Sequence, residues 1–414
     1  PDTATIPIQW CARRLLARIH RLTLDSLRRR MEPVTTDELV RFLLGWSHLA
    51  PGKGAYGRDG LHAVIEKLQG FEIPAVLWEQ AILPSRVAEY DPRWLDDLCL
   101  SGEAVWGRVR TGASRDATKI LPITIMLRED MDGLRSNQDG PDALGSDAKQ
   151  VLSTLQARGA LFFNEIVSSA RLLPTQVQEA LWELVAAGRV SGDGFGAIRS
   201  LTSPMRVRAQ RLKRHIIRSG IKTFGISQQM GRWWELRLIE SHKTSVSVDD
   251  IEKSFPEQWA WQLLTRYGVF FRDLLAREDA APSWQELLPV YRRMEARGEI
   301  RGGRFITGVG GEQFALPEVV DLLRQERRDN YAGPIHESPV IVSAADPMNL
   351  VGILTPDPKV PAIASNAVAY LGGRCIGHRV AGEVWVDPKL DPEIARKVKQ
   401  QLTMGKSRPT LSFL

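Results

Sequence analysis

With 414 residues, 43% of them hydrophobic and 25% charged, the chain has the make-up of a globular protein several modules long. No run approaches the roughly 18 consecutive apolar residues of a bilayer span, which excludes a helical membrane protein, and the core content excludes a disordered one. The formal net charge of +6 favours a polyanionic partner.

Taken in chain order, residues 1–33 read as a basic helical leading segment. Its run RRLLARIHRLTLDSLRRR sets several guanidinium groups along one helix face and makes Arg13 and Arg14 candidates for phosphate contact, a solvated helix exterior being the alternative. Cys11, Cys99 and Cys375 lie far apart with no C-x-x-C pair, so neither a disulfide framework nor a zinc ribbon is available and a reducing cytoplasm is the expected compartment. The chain opens on Pro1 with no signal peptide, as expected of a piece cut from a longer protein.

A repeated order of elements follows. In residues 255–334 an amphipathic helix ends at Gly268, Val269 to Phe271 reads as a strand, Pro282-Ser283 opens a second helix, and MEARGEIRGGRF closes the unit as a hairpin with a Gly-Gly turn. Residues 146–200 repeat it through Gly159, Phe162-Phe163, Pro174-Thr175 and Gly188, and residues 34–115 do so more loosely through Gly70 and Gly102. The paired glycines are 30, 29 and 32 positions apart. Helix, helix and Gly-punctuated hairpin, three times over, predict tandem winged-helix modules. Phe162, Phe163, Phe270, Phe271 and Trp182 recur at equivalent places and are read as core.

The second helix of such a unit can enter a groove while the wing reaches the backbone, so Arg301 and Arg304, expected at a wing tip, are candidate nucleic-acid contacts. Residues 116–145 read as a linker. Residues 201–254 read as a second linker of uncertain structure: a basic run (Arg206 to Gly220) supplies Arg211, Lys213 and Arg214 as further phosphate candidates, and GRWWELRLIE starts either a strand or a helix. After Gln325, short β-branched runs between Pro, Asn and Gly-Gly predict a small antiparallel β-barrel-like module over 335–390, then a C-terminal tail over 391–414. The expected class is α+β, tandem winged helices with a small β-barrel.

Several motifs are absent. PGKGAYGRDG has the glycines and lysine of a phosphate loop in the wrong order, the seven histidines form no H-E-x-x-H, and there is no G-x-S-x-G elbow. No metal site is expected.

The segments GRDGLHAVIEKLQGFEIPAVLWEQ, LLTRYGVFFRDLLAREDAAPSWQELLPVYRRMEARGEIRGGRF and ADPMNLVGILTP resemble the C-terminal region of the bacterial large helicase-related protein family. The resemblance covers nearly the whole chain. It implies a DNA-binding, non-motor region of a superfamily 2 repair helicase, with the upstream helicase domains as partners in the same chain and self-association as a further partnership. It also implies no cofactor in this piece, ATP and Mg belonging to the upstream motor alone.

A second, more distant similarity is to winged-helix DNA glycosylases, around KLQGFEIPAVLWEQ and AYLGGRCIGHRVAGEVWV. It makes Gln69 and Glu72 candidate catalytic residues for removal of a deaminated or alkylated base, although Glu72 stands one position later than the second polar residue of that family's motif. A glycosylase needs a group that orients water and stabilises an oxocarbenium-like sugar, which a carboxylate beside an amide can supply. The competing reading has Glu72 paired locally with Arg86 and Gln69 ending a helix. A transcription regulator fits less well, since it normally pairs one reading module with a dimer or ligand domain.

Overall fold

The structure, a computed structural model, describes residues 12–29, 33–110, 121–135, 144–202, 231–236, 248–331 and 338–404. Three winged-helix units follow one another, and each carries a three-stranded antiparallel sheet of the same topology. In sheet order the strands are Ile73–Pro74, Pro122–Leu127 and Ala104–Gly107; then Leu161–Phe162, Arg232–Glu235 and Val190–Gly192; then Arg301–Gly303, Gln313–Ala315 and Val269–Phe271. Each time the strand that is last in the chain returns to the middle of its sheet. Two of these central strands come from the stretches read as linkers, 116–145 and 201–254.

The glycines that mark the repeat all do the same work. Gly70, Gly102, Gly159, Gly188, Gly268 and Gly298 have φ between 69° and 84°, a region that L residues rarely adopt, so each lets a helix turn sharply towards the strand after it. Gly268 also has no room for a side chain, since a Cβ there would stand 2.9 Å from Val319. Ser283 and Glu286 form a capping box at the start of the helix Trp284–Arg297, and Asp91 caps the helix Pro92–Leu100 through the Arg93 amide.

The wing of the third unit departs from expectation. Gly302 and Gly303 lie within a strand rather than at the turn, because a Cβ on Gly302 would stand 2.3 Å from the buried Glu295 carboxylate. The turn falls later, in the loop from Arg304 to Glu312, so Arg301 sits on the strand and Arg304 at its end instead of at the tip. Phe162 also departs: it is 47% exposed, while Phe270 and Phe271 are fully buried and Phe163 and Trp182 pack at the edge of the core.

The C-terminal β unit is an open sheet and not a barrel. Val340–Ser343, Ala367–Leu371, Arg374–Val380 and Glu383–Val386 pair antiparallel in sequence order, and the first and last strands do not pair with each other. Closure is not needed to bury the faces. The helix Pro392–Met404, within the stretch read as a tail, packs Val398 and Leu402 on Ala367, Ala369 and Ile376. The other face puts Val342, Val368 and Tyr370 into a core shared with the third unit and the helix Thr36–Trp46.

Arg86 fastens this sheet unit to the first winged helix. Its guanidinium grips Asp346 through two bonds of 2.7 and 2.8 Å, with the two side chains 1% and 2% exposed. The expected local partner of Glu72 is therefore engaged elsewhere, 260 residues along the chain. Removing one member of a buried pair leaves an uncompensated charge, so Asp346→Ala should cost about 3–5 kcal/mol in urea denaturation. The double replacement Arg86→Met/Asp346→Leu should recover most of that loss.

Candidate nucleic-acid interface

The leading helix Arg13–Arg29 lies against the strand Arg301–Gly303, which brings together two groups of arginines far apart in sequence. The register is fixed just after the helix, where Val34 forms a parallel bridge with Ile306: its amide donates to the Phe305 carbonyl and its carbonyl accepts from the Thr307 amide, both at 2.8 Å. Arg13, Arg14, Arg18 and Arg21 are exposed on the helix, as are Arg301 and Arg304 beside it, and among the described residues none of the six side chains makes a hydrogen bond or ion pair. The opposite helix face presents Leu15, Leu16, Ile19 and Leu22, each about half exposed. Arg211, Lys213 and Arg214 lie outside the described residues.

The three groove-facing helices differ in charge. The helix Pro174–Ala186 of the second unit carries no basic residue, and Pro92–Leu100 of the first sets one arginine against Asp96 and Asp97. Trp284–Arg297 of the third carries Arg292, Arg293 and Arg297. Arg297 is held by Glu257 and Glu299, Arg292 by Glu312 on the wing, and Arg293 is exposed without a partner among the described residues. This contrast was open to a reading of the sequence, once the helices had been compared with one another instead of with the whole chain.

Gln69 and Glu72 are both engaged inside the protein. Gln69 is 3% exposed; its amide nitrogen donates to Asp130 (2.7 Å) and Gln262 (3.0 Å), and its carbonyl accepts from the Leu127 amide (3.0 Å). It thereby ties the end of the helix Gly57–Leu68 to the central strand of its sheet and to the helix Val248–Tyr267. Glu72 accepts from Arg108 at 2.9 Å and from the Val109 amide at 3.0 Å, which clamps the chain where it leaves the strand Ala104–Gly107. Both groups are thus held by hydrogen bonds to the protein.

A feature that sequence reasoning missed lies close by. Lys67, His48, Arg86 and Arg266 line a small cavity with Ser47, Val64 and Leu68. Arg86 and Arg266 are neutralised by Asp346 and Glu278, whereas the Lys67 ammonium donates to the Trp46 carbonyl (2.6 Å) and sits 4.2 Å above the Trp46 ring. His48, 3.4 Å from Lys67, holds a left-handed φ of 60°. Burial pushes the Lys67 ammonium down to about 8, and it lowers His48 as well. Among the described residues no group of His, Cys, Asp and Glu is arranged to hold a metal ion, and no helix is long and apolar enough to cross a membrane.

Comparison with known proteins gives these units a family. Residues 34–124 and 249–334 each match a family model described as "Large helicase-related protein, winged-helix domain", the third and the fourth of that protein. Both units are therefore similar to the winged-helix domains of large helicase-related proteins. The "Lhr helicase/ probable uracil glycosylase" of Mycolicibacterium smegmatis is 30% identical over 424 residues, a match covering 96% of this chain and 26% of the relative. The "Lhr helicase/uracil glycosylase" of Escherichia coli is 28% identical over 446 residues, covering 98% and 28%. The chain thus spans about a quarter of the length of these Lhr proteins. Among solved structures, Streptomyces sahachiroi DNA glycosylase AlkZ aligns with a TM-score of 0.49 at 11% identity, covering 91% of this chain and 97% of that one.

The cavity makes a titration visible. The unfolded lysine keeps its ordinary value of 10.5, so between about pH 8 and 10.5 the unfolded chain binds more protons and Lys67's contribution to stability rises with pH. Measured by urea denaturation at several pH values, the stability of wild type relative to Lys67→Gln should climb by roughly 1–3 kcal/mol from pH 7.5 to 10.5. A flat difference would mean that the ammonium is not desolvated.

Proposed function

We propose that this chain is the DNA-binding, non-motor part of a helicase of the large helicase-related kind, and that it contacts DNA through the third winged helix together with the leading helix. One observation carries the reading: the leading helix, with exposed Arg13, Arg14, Arg18 and Arg21, packs against the strand Arg301–Gly303, which in turn contacts the helix Trp284–Arg297, the arginine-rich one of the three corresponding helices among the described residues. Guanidinium groups on a helix and a wing contact phosphates and fix orientation without reading bases, so sequence preference should be weak. The leading helix extends the footprint beyond one module.

The affinity should fall steeply with salt. Arg301→Ala/Arg304→Ala should weaken binding to duplex and single-stranded oligonucleotides and reduce the slope of log K against log salt by about 1.8, two phosphates' worth, as read by fluorescence anisotropy. An unchanged slope would assign both residues to solubility alone.

A second reading, base excision, takes its support from the two Lhr relatives whose names include uracil glycosylase. For this chain it would need a site other than Gln69 and Glu72 as they now stand. Glu72→Gln should therefore cost about 1–3 kcal/mol of stability, because it deprives the half-buried Arg108 of its counter-charge, and should leave any release of uracil from an oligonucleotide at the wild-type rate. Stability unchanged with release abolished would make Glu72 the catalytic group.

A further inference from the structure

We infer that Arg292 is a phosphodiester-binding residue whose site is occupied, in the free protein, by the carboxylate of Glu312. This deepens the DNA-binding reading above and rests on it. Arg292 projects from the groove-facing helix and Glu312 from the wing loop, the two elements that flank bound DNA in a winged helix. The guanidinium engages Glu312 Oε2 with two of its N–H groups, Nη2 at 2.8 Å and Nε at 3.1 Å. That fork suits the planar oxygens of a carboxylate and the paired oxygens of a phosphodiester alike. Glu312 therefore occupies the donor positions of Arg292 that a phosphate oxygen would take.

The surroundings let the carboxylate leave. Both side chains are open to solvent, at 58% and 34% exposure, so no buried charge results from parting them. The base of the wing is fixed by Gln313, whose carbonyl accepts from the amides of Phe305 and Ile306 at 2.7 and 2.9 Å and whose amide donates to the Val309 carbonyl at 3.1 Å. Within the loop Val309 packs on the core, while a Cβ on Gly308, Gly310 or Gly311 would have no atom within 4 Å, and Gly311 has φ +82°. Glu312 stands at the foot of the loop, directly before the anchored Gln313, so parting the pair needs only its solvent-exposed side chain to rotate away. Arg293 stands next along the helix, exposed and unpaired among the described residues, and supplies a second cation once the carboxylate has moved. DNA must displace Glu312 to use Arg292, so the pair weakens general attachment and makes contact by this helix conditional on a phosphate that fits between helix and wing.

The test is a double-mutant cycle on the whole chain, read by anisotropy with duplex and single-stranded oligonucleotides across a range of salt. Glu312→Gln should tighten binding about threefold to fivefold and steepen the salt slope by about 0.9, one phosphate. Arg292→Gln alone should change little, and Arg292→Gln/Glu312→Gln should lose the gain. Glu318→Gln removes an exposed carboxylate from the same module away from this pair and controls for net charge. If Glu312→Gln gains nothing, gains no more than Glu318→Gln, or keeps its gain in the double variant while Arg301→Ala/Arg304→Ala still weakens binding, the masked site is overturned and the DNA-binding face stands. If the wild type binds no DNA even at low salt, the face itself is overturned and this proposal with it.

Discussion

The arrangement of the whole chain hangs on two buried guanidinium groups. Burying a charge costs several kcal/mol unless it is paired and its remaining donors are satisfied, so an arginine sealed in a core fixes its partners more strictly than apolar packing does. Arg86 meets Asp346, whose turn is also held by Arg277 through its backbone carbonyl. Arg266 meets Glu278 and donates to the carbonyls of Lys67 and Gln69. The first pair joins the first winged helix to the C-terminal sheet, and Arg266 of the third winged helix joins it to the first through the Lys67 and Gln69 carbonyls. The modules are therefore parts of one packed body, and the basic surface around Arg301 is carried at a fixed place on it.

That interlocking explains the division between what could be read in the sequence and what could not. The six register glycines were legible because the need for positive φ is local: a helix must turn into a strand within one or two residues. The helix start at Ser283 was local in the same sense. The central strand of each sheet was not, since Pro122–Leu127 and Arg232–Glu235 return after long excursions and their pairing is fixed by neighbours distant in the chain. The Gly-Gly pair read as a hairpin turn failed for a related reason, because Gly302 is glycine to make room for Glu295 on the neighbouring helix and not to bend the backbone. The barrel expectation saw the strands correctly but had no means of knowing that a C-terminal helix and a shared core would cover both sheet faces.

The candidate sites divide in the same way. Arg13, Arg14, Arg301 and Arg304 were visible as charges, yet only the fold sets the leading helix beside the third wing. Gln69 and Glu72 drew attention through a motif displaced by one position, and their partners, Asp130, Gln262 and Arg108, lie 36 or more residues away. In sequence, an amide and a carboxylate give no sign of which distant segments they hold together.

Three copies of one module need not do one job, because a winged helix supplies a shape and the groove-facing helix decides what that shape can meet. In the first unit that helix is already occupied: Asp96 accepts from Arg199 of the second unit at 2.7 Å, and Glu79 takes the other side of the same guanidinium. In the second unit Glu183, on the corresponding helix, accepts from the Gly145 amide at 2.7 Å, and no cation lies along that helix to attract a phosphate. Neither helix offers an unpaired cation among the described residues. The one arginine of this helix in the first unit, Arg93, is exposed but held by Asp91, whereas in the third unit Arg293 is exposed without a partner among the described residues and Arg292 meets only the solvent-exposed carboxylate of Glu312. Two winged helices thus build the frame, and the third is the one whose charge is left to be answered from outside.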